Sequence, residues 1–218
     1  MIRMLKTRIV LAAWFALTLA GAARADDVEP DHFRGQISSV DAGAVTIKTP
    51  DGRSLRMDLP ERLAVFTLSK ASFSSIDFGQ YVGSVAVKLD ITNPIVRATP
   101  RETIGILFQG HELRIIDEKL RGIAVGYKLW DIPKGGSMTH GWVDDMDGRT
   151  VTIKYGPQRE EQSDVLVGKD MPITRMALGA RSDIKAGAHA FVGATKGADG
   201  KLGAVFVFVG TDGLVPPL

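Results

Sequence analysis

One stretch of this chain is written twice, and that fact limits what it can fold into more than any other. Val45-Thr46-Ile47-Lys48 returns as Val151-Thr152-Ile153-Lys154, an offset of 106. Each copy follows a turn, Asp41-Ala42-Gly43 in one case and Asp147-Gly148 in the other, and the short runs before those turns, Gly35–Val40 and Gly141–Met146, correspond as well. Further on, Ser74-Ser75-Ile76-Asp77-Phe78-Gly79 matches Ser182-Asp183-Ile184-Lys185-Ala186-Gly187 at an offset of 108, and apolar β-rich runs follow both, 81–88 and 188–195. Two landmarks in the same order, with offsets two residues apart, indicate a duplicated module carrying a small insertion. A period near 107 is too long for a solenoid repeat and suits a pair of small domains.

Inside each unit the local signals are those of strands. Residues 44–49, 53–59 and 63–68 are rich in β-branched or aromatic side chains and are separated by Asp51-Gly52 and Pro60; 150–155, 161–167 and 172–178 repeat the pattern. Asp199-Gly200 opens a hairpin into 202–209, where Val205, Val207 and Val209 alternate with Phe206 and Phe208. With both faces apolar, that strand belongs in a closed or covered sheet. The Ser-x-Ile-x-x-Gly segments predict one turn of helix stopped by a glycine at positive φ. Several short strands and a single helical turn in each unit predict an all-β chain of two tandem small OB-like β-barrels, spanning 33–108 and 139–210. Gly110, Gly122, Gly126, Pro133, Gly135 and Gly136 predict an irregular connector over 109–138, and residues 211–218 form a tail.

The N-terminus reads as an export signal. Arg3, Lys6 and Arg8 precede an apolar run, Ile9–Leu19, and Ala23-Arg24-Ala25 offers small residues before a cleavage site at Asp26. The run is shorter than the roughly 20 residues of a membrane span. Residues 26–32 then form a lead, with His32 expected in solvent, and the expected address is the periplasm. Removing residues 1–25 takes away four basic side chains and leaves 23 basic against 25 acidic, a net charge of −2. A nucleic-acid partner, which needs a positive groove and exposed stacking rings, is therefore not expected. The chain has no cysteine, which excludes disulfides, thiolate metal sites and cysteine nucleophiles.

Few residues invite chemistry. Gly135-Gly136-Ser137-Met138-Thr139 lacks the final glycine of a nucleophile elbow. A calcium loop around Asp144-Asp145-Met146-Asp147-Gly148 would put Val143 and Lys154 at its first and last ligand positions, so a hairpin explains the acids better. The four histidines, His32, His111, His140 and His189, form no H-x-H or H-E-x-x-H pattern. His111 and His140 flank the connector and supply the metal alternative, with Glu112 or Asp144 as further ligands. Tyr127-Lys128-Leu129-Trp130-Asp131 and Trp142 supply the alternative of a partner- or ligand-binding surface. A tryptophan there serves equally well as a plug between barrels.

Arg34-Gly-Gln-Ile37, Val45–Lys48, Ser74-x-Ile-x-x-Gly79, Trp130-Asp131, Gly136-Ser-Met-Thr139 and the ending Gly210–Leu218 resemble a group of exported α-proteobacterial proteins over residues 33–218. The resemblance implies tandem OB-like barrels and an exported address, and it brings no reaction. Some members carry the label of a metal transporter permease, which a chain lacking a spanning segment after its signal does not fit. The group's His-Arg-Pro stretch before Trp-Asp is replaced here by Val125–Leu129, so no ligand role carries over. The expected function is non-catalytic binding of a periplasmic protein or small ligand through Trp130, Asp131, Ser137, Thr139 and Trp142, with no resident cofactor. Metal handling through His111 and His140 is the alternative, and action on envelope polymers is the remote one.

Overall fold

The computed structural model describes residues 30–90, 92–98 and 106–217. The expected export signal, its cleavage site after Ala25 and residues 26–29 of the lead lie outside them. The first unit folds as β1 (Asp31–Val40), β2 (Ala44–Lys48), β3 (Ser54–Asp58), β4 (Ala64–Lys70), β5 (Tyr81–Lys88) and β6 (Ile106–Ile116). A 3-10 turn, Phe73–Ser75, precedes β5, and a short helix α1 (Pro94–Ala98) lies between β5 and β6. A second 3-10 turn (Glu118–Leu120) and a short strand β7 (Gly126–Leu129) lead into the second unit. That unit comprises β8 (Gly136–Asp147), β9 (Thr150–Tyr155), β10 (Glu161–Leu166), β11 (Ile173–Leu178), a 3-10 turn (Arg181–Asp183), β12 (His189–Lys196) and β13 (Leu202–Gly210). The chain is all-β, and among the described residues no helix is long and apolar enough to cross a membrane.

The duplication is legible in details the sequence only hinted at. Gly79 and Gly187 end their 3-10 turns at φ +75 and +89, and Ile76 and Ile184 bury their side chains just before them. Gly35 and Gly141 let the first strand of each unit bend hard against the second. A Cβ there would sit 2.4 Å from the Lys48 carbonyl oxygen and 2.3 Å from that of Lys154. Bulges recur as well, between Ile37 and Ser39 in β1 and between Val143 and Asp145 in β8.

How the two units combine is not what a tandem arrangement predicts. Among the described residues all thirteen strands belong to one sheet, ordered β10-β9-β8-β5-β6-β11-β4-β13-β12-β1-β2-β3 with β7 on β8. Its ends close on themselves, β10 joining β6 and β13 joining β3, both in parallel. Two five-stranded rings result: β1-β2-β3-β13-β12 and β8-β9-β10-β6-β5. Each ring takes three strands from one unit and two from the other, so neither coincides with 33–108 or 139–210. Those spans mark the repeat. The reason lies in β4 and β11, which carry the chain out of one ring and into the other. They pair antiparallel to each other, with Leu68 opposite Met176. Those two positions are equivalent at the offset of 108, so a pseudo-twofold axis passes between them.

Each ring has its own core. Ile37, Val45, Ile47, Met57, Val192 and Val207 fill the first, and Val82, Leu113, Ile115, Val151, Ile153 and Val165 fill the second. Val205 departs from the expected alternation, because a bulge opposite Gly193 and Ala194 turns it outward. The connector is also shorter and more regular than 109–138 suggests, since β6 runs on to Ile116, β8 begins at Gly136, and β7 adds a strand between them. Gly110 and Gly136 do not break structure. They sit inside strands where a Cβ would meet Met171 and Leu166 at 2.6 and 2.8 Å, and the Pro133 carbonyl oxygen at 2.6 Å.

Neither half owns a complete ring, so separately produced segments 26–120 and 121–218 are expected to give no folded monomer, whereas mixing them restores a cooperative transition. Sedimentation and thermal melting of each segment check this. A monomeric half with a sharp transition would contradict the exchanged pairing.

Candidate functional site

A third apolar cluster lies over the pseudo-twofold pair, outside both ring cores. It is built on Phe66, Leu68, Tyr81, Ile116 and Met176, with Trp142, Phe206 and Phe208 packed against it. Beside it the surface opens into a cavity of about 160 Å³. Phe66, Phe191, Phe206 and Phe208 form one wall, Arg114, Met138, His140 and Met176 another, and Ile123, Ala124, Lys128 and Trp130 form the roof. Strands of both units and the connector all contribute.

Around this cavity the two rings carry different residues at equivalent positions. Phe66 pairs with Phe208 across β4 and β13, and its equivalent Thr174 pairs with Arg114 across β11 and β6. By the same register Glu112 stands where the other ring has Phe206, and Gly83 where it has Phe191. One side is thus a set of packed rings: Phe191 and Phe208 stack at 5.7 Å between centroids, and Phe66 and Phe208 at 5.0 Å. On the other side is a buried ion pair. Arg114 donates to Glu112 from Nε at 3.0 Å and from Nη2 at 2.7 and 2.8 Å, and Thr174 Oγ1 donates to the same carboxylate at 3.3 Å. Only 1% of Glu112 and 4% of Arg114 are exposed, and Arg114 lies 5.0 Å from the Phe208 centroid.

His140 belongs to this wall because Gly83 leaves room for it. A Cβ on Gly83 would fall 2.5 Å from the imidazole Cδ2 and Nε2. Its Nδ1 lies 3.2 Å from the Ala124 carbonyl oxygen. A carbonyl only accepts, so the ring proton is on Nδ1 and Nε2 keeps its lone pair. Burial, then the nearby charges of Arg114 and Lys128, push the His140 pKa from 6.5 down to about 4, against the opposing pull of the Ala124 hydrogen bond. Tyr81 donates from its hydroxyl to the Ile123 carbonyl at 2.6 Å, and burial pushes its pKa up to about 12.

Trp130 closes the roof. Its ring lies tilted against His32 at 4.6 Å and meets Phe191 edge-on at 6.2 Å between centroids. Lys128 Nζ lies 5.0 Å from its centroid. Asp131 then ties the connector to β1, with His32 Nδ1 at 3.2 Å and Arg34 Nη1 at 3.4 Å. Burial raises the Asp131 pKa, but Arg34 and His32 outweigh it and hold the carboxyl below its ordinary range. Arg34 also lies over the Phe191 face at 4.6 Å. His32 is not the solvated residue of an N-terminal lead, since β1 begins at Asp31 and only 12% of the His32 side chain is exposed.

The other residues singled out from the sequence scatter. Ser137 and Thr139 are buried in β8, on the opposite face from Met138 and His140, and Ser137 donates to the Ala86 carbonyl at 3.2 Å. Trp142 packs on Tyr81 at 5.1 Å, with Arg159 4.0 Å over its ring. His111 is an exposed residue between Gly110 and Glu112 where the β5–β6 register slips, whereas His140 faces the cavity. Among the described residues no group of three or more His, Asp or Glu side chains is placed to hold a metal. Asp144 pairs with Lys154 at 2.9 Å. Phe66, Arg114, Met138, Met176 and Phe191 carry no local signal of a site, because pairing between units is what assembles them. Comparison with family models, curated proteins and solved structures gives no match.

Gly83→Ala is expected to cost about 1–3 kcal/mol through the clash with His140, and Gly83→Ala with His140→Ala less than the sum of the two by about 1 kcal/mol. Additive values from a denaturant double-mutant cycle would show that the two do not share this space. His140 also predicts a pH effect. Its folded pKa lies below the unfolded value, so its contribution to stability is full above about pH 6.5 and is lost as the pH falls toward about 4. The melting temperature of the wild type should therefore fall more steeply across that window than that of His140→Gln. Parallel curves would contradict it.

Proposed function

We propose that this protein is an exported, non-catalytic binding protein whose two rings are OB-like barrels and whose connector roofs one ligand site between them. The barrel reading is supported by the closure of each ring. Numbering the five strands of a ring along an OB barrel, with the last two supplied by the other unit, gives the order 1-2-3-5-4-1 with 3 and 5 parallel. The exported, periplasmic address rests on residues 1–25 as read from the sequence.

The observation that carries the binding reading is the aromatic cavity itself. Concave, mostly apolar sites with a few polar groups are the usual form of a small-molecule site, and about 150 Å³ holds a guest the size of benzene. The chemistry around it suits holding rather than turnover. Glu112 is locked by Arg114, and Ser137 and Thr139 point away from His140. In this reading Trp130 acts in both of the ways considered, as the plug between the barrels and as a wall of the site.

The methyl resonances of Met138 and Met176 report the cavity directly, and that of Met57, sealed in the core of the first ring, serves as control. Benzyl alcohol added to methyl-labelled protein is expected to shift the first two and leave the third. No shift, or a response confined to other methionines, would remove this site from consideration.

A further inference from the structure

The polar groups around the cavity are engaged with one another or turned away from it. Arg114 commits its Nε–Nη2 edge to Glu112 through three hydrogen bonds, and Thr174 donates to the same carboxylate. His140 gives its Nδ1–H to the Ala124 carbonyl oxygen, and its Nε2, which can only accept, lies against Gly83. Trp130 Nε1–H is buried, with no surface open to a guest. Most of the remaining lining is the phenyl rings of Phe66, Phe191, Phe206 and Phe208 and the thioethers of Met138 and Met176. Rings favour offset and edge-on ring partners, and thioethers make favourable contacts at ring edges. An aromatic body therefore suits this lining better than an aliphatic one of equal size.

Neither sign of charge is welcome there. An anion entering the cavity would leave water, which is costly unless its pairing is complete, and Arg114 is already locked to Glu112. Lys128 stands on the exposed rim, 5.0 Å from the Trp130 centroid. Water at such a rim weakens its attraction about twentyfold relative to a dry interior. A cation fares no better, although aromatic boxes elsewhere often accept one over their rings. Arg114 lies over Phe208 and Lys128 over Trp130, so a further positive charge would be repelled. The imidazole of His140 meets the same resistance: burial, then Arg114 and Lys128, keep a second proton off it down to about pH 4.

We propose that the guest is an uncharged aromatic molecule of about one ring, held by the four phenylalanines and two methionines, and that the locked Glu112–Arg114 pair is what turns anions away. This rests on the binding reading above. Benzyl alcohol, benzoate and benzylammonium have nearly the same body and differ in charge. Calorimetric titration of the full chain at neutral pH is expected to show each ion bound at least tenfold more weakly than the alcohol. Cyclohexylmethanol, saturated but otherwise alike, should bind several-fold more weakly than benzyl alcohol. Glu112→Gln leaves Arg114 without its carboxylate, so benzoate should bind the folded variant more tightly than the alcohol does. Thermal melts check that this variant folds, and the wild-type comparison decides the charge of the guest even where it does not. An ion bound by the wild type within tenfold of the alcohol overturns the uncharged assignment and leaves the cavity standing. Equal binding of the two alcohols overturns the aromatic one. Benzoate still weaker than the alcohol in folded Glu112→Gln overturns the role given to the ion pair. Failure of every probe to bind the wild type overturns the binding reading as well.

Discussion

The antiparallel contact of β4 with β11 is the joint on which the molecule turns. A strand that leaves its ring after β3 cannot return to close it, so the gap beside β3 must be filled from the other unit, and the same holds for β10. Backbone N–H and C=O groups along those gaps are strongly driven to find partners. The parallel ladders β3–β13 and β10–β6 satisfy them only if both units exchange their last strands. Closure of one ring therefore entails closure of the other. The pseudo-twofold through Leu68 and Met176 is the arrangement two identical chains would have in a strand-exchanged dimer.

Exchange also explains why the cavity beside the pseudo-twofold pair is asymmetric. A symmetric pair of rings would present two equal walls across the axis. Divergence has put Phe191, Phe206 and Phe208 in one ring where the other has Gly83, Glu112 and Arg114, and residues 123–130 of the connector fall across the cavity. The glycine at position 83 admits the imidazole of His140 from the facing strand, whereas its equivalent in the other ring, Phe191, stands opposite Arg34 of β1. The pocket is thus a product of asymmetry imposed on a symmetric frame.

The polar groups of this pocket are held in fixed states by their surroundings. Glu112 and Arg114 satisfy each other away from water, where a lone charge would be costly. His140 stays neutral because burial and neighbouring cations oppose its protonation. The roof is tied down at a few points, the Tyr81 hydroxyl, the His140 imidazole and the Asp131 carboxylate among them. Around a cavity with so little polar surface, each of these groups fixes position more than it performs chemistry.

The periodicity of Val, Ile and Thr, the Asp/Gly turns and the repeated Ser-x-Ile-x-x-Gly segment were enough to set the all-β class, the strand positions and the twofold internal repeat, because each is governed by a few adjacent residues. Trp130 and Asp131 stood out for the same local reason, an aromatic and an acid in a glycine-rich stretch. Which strand pairs with which was decided only by tertiary structure. Nothing within β4 states that the chain will cross to the other ring, and ladders such as Asp31 to Ala194 join residues far apart in sequence. His32 looked solvated and Phe206 looked like ordinary core until that pairing set His32 against Trp130 and Phe206 along the cavity, and Ser137 and Thr139 lost their place because alternation along β8 turns them away. A side chain's neighbours across a sheet are a property of register, and register between distant strands is set by closing the whole ring.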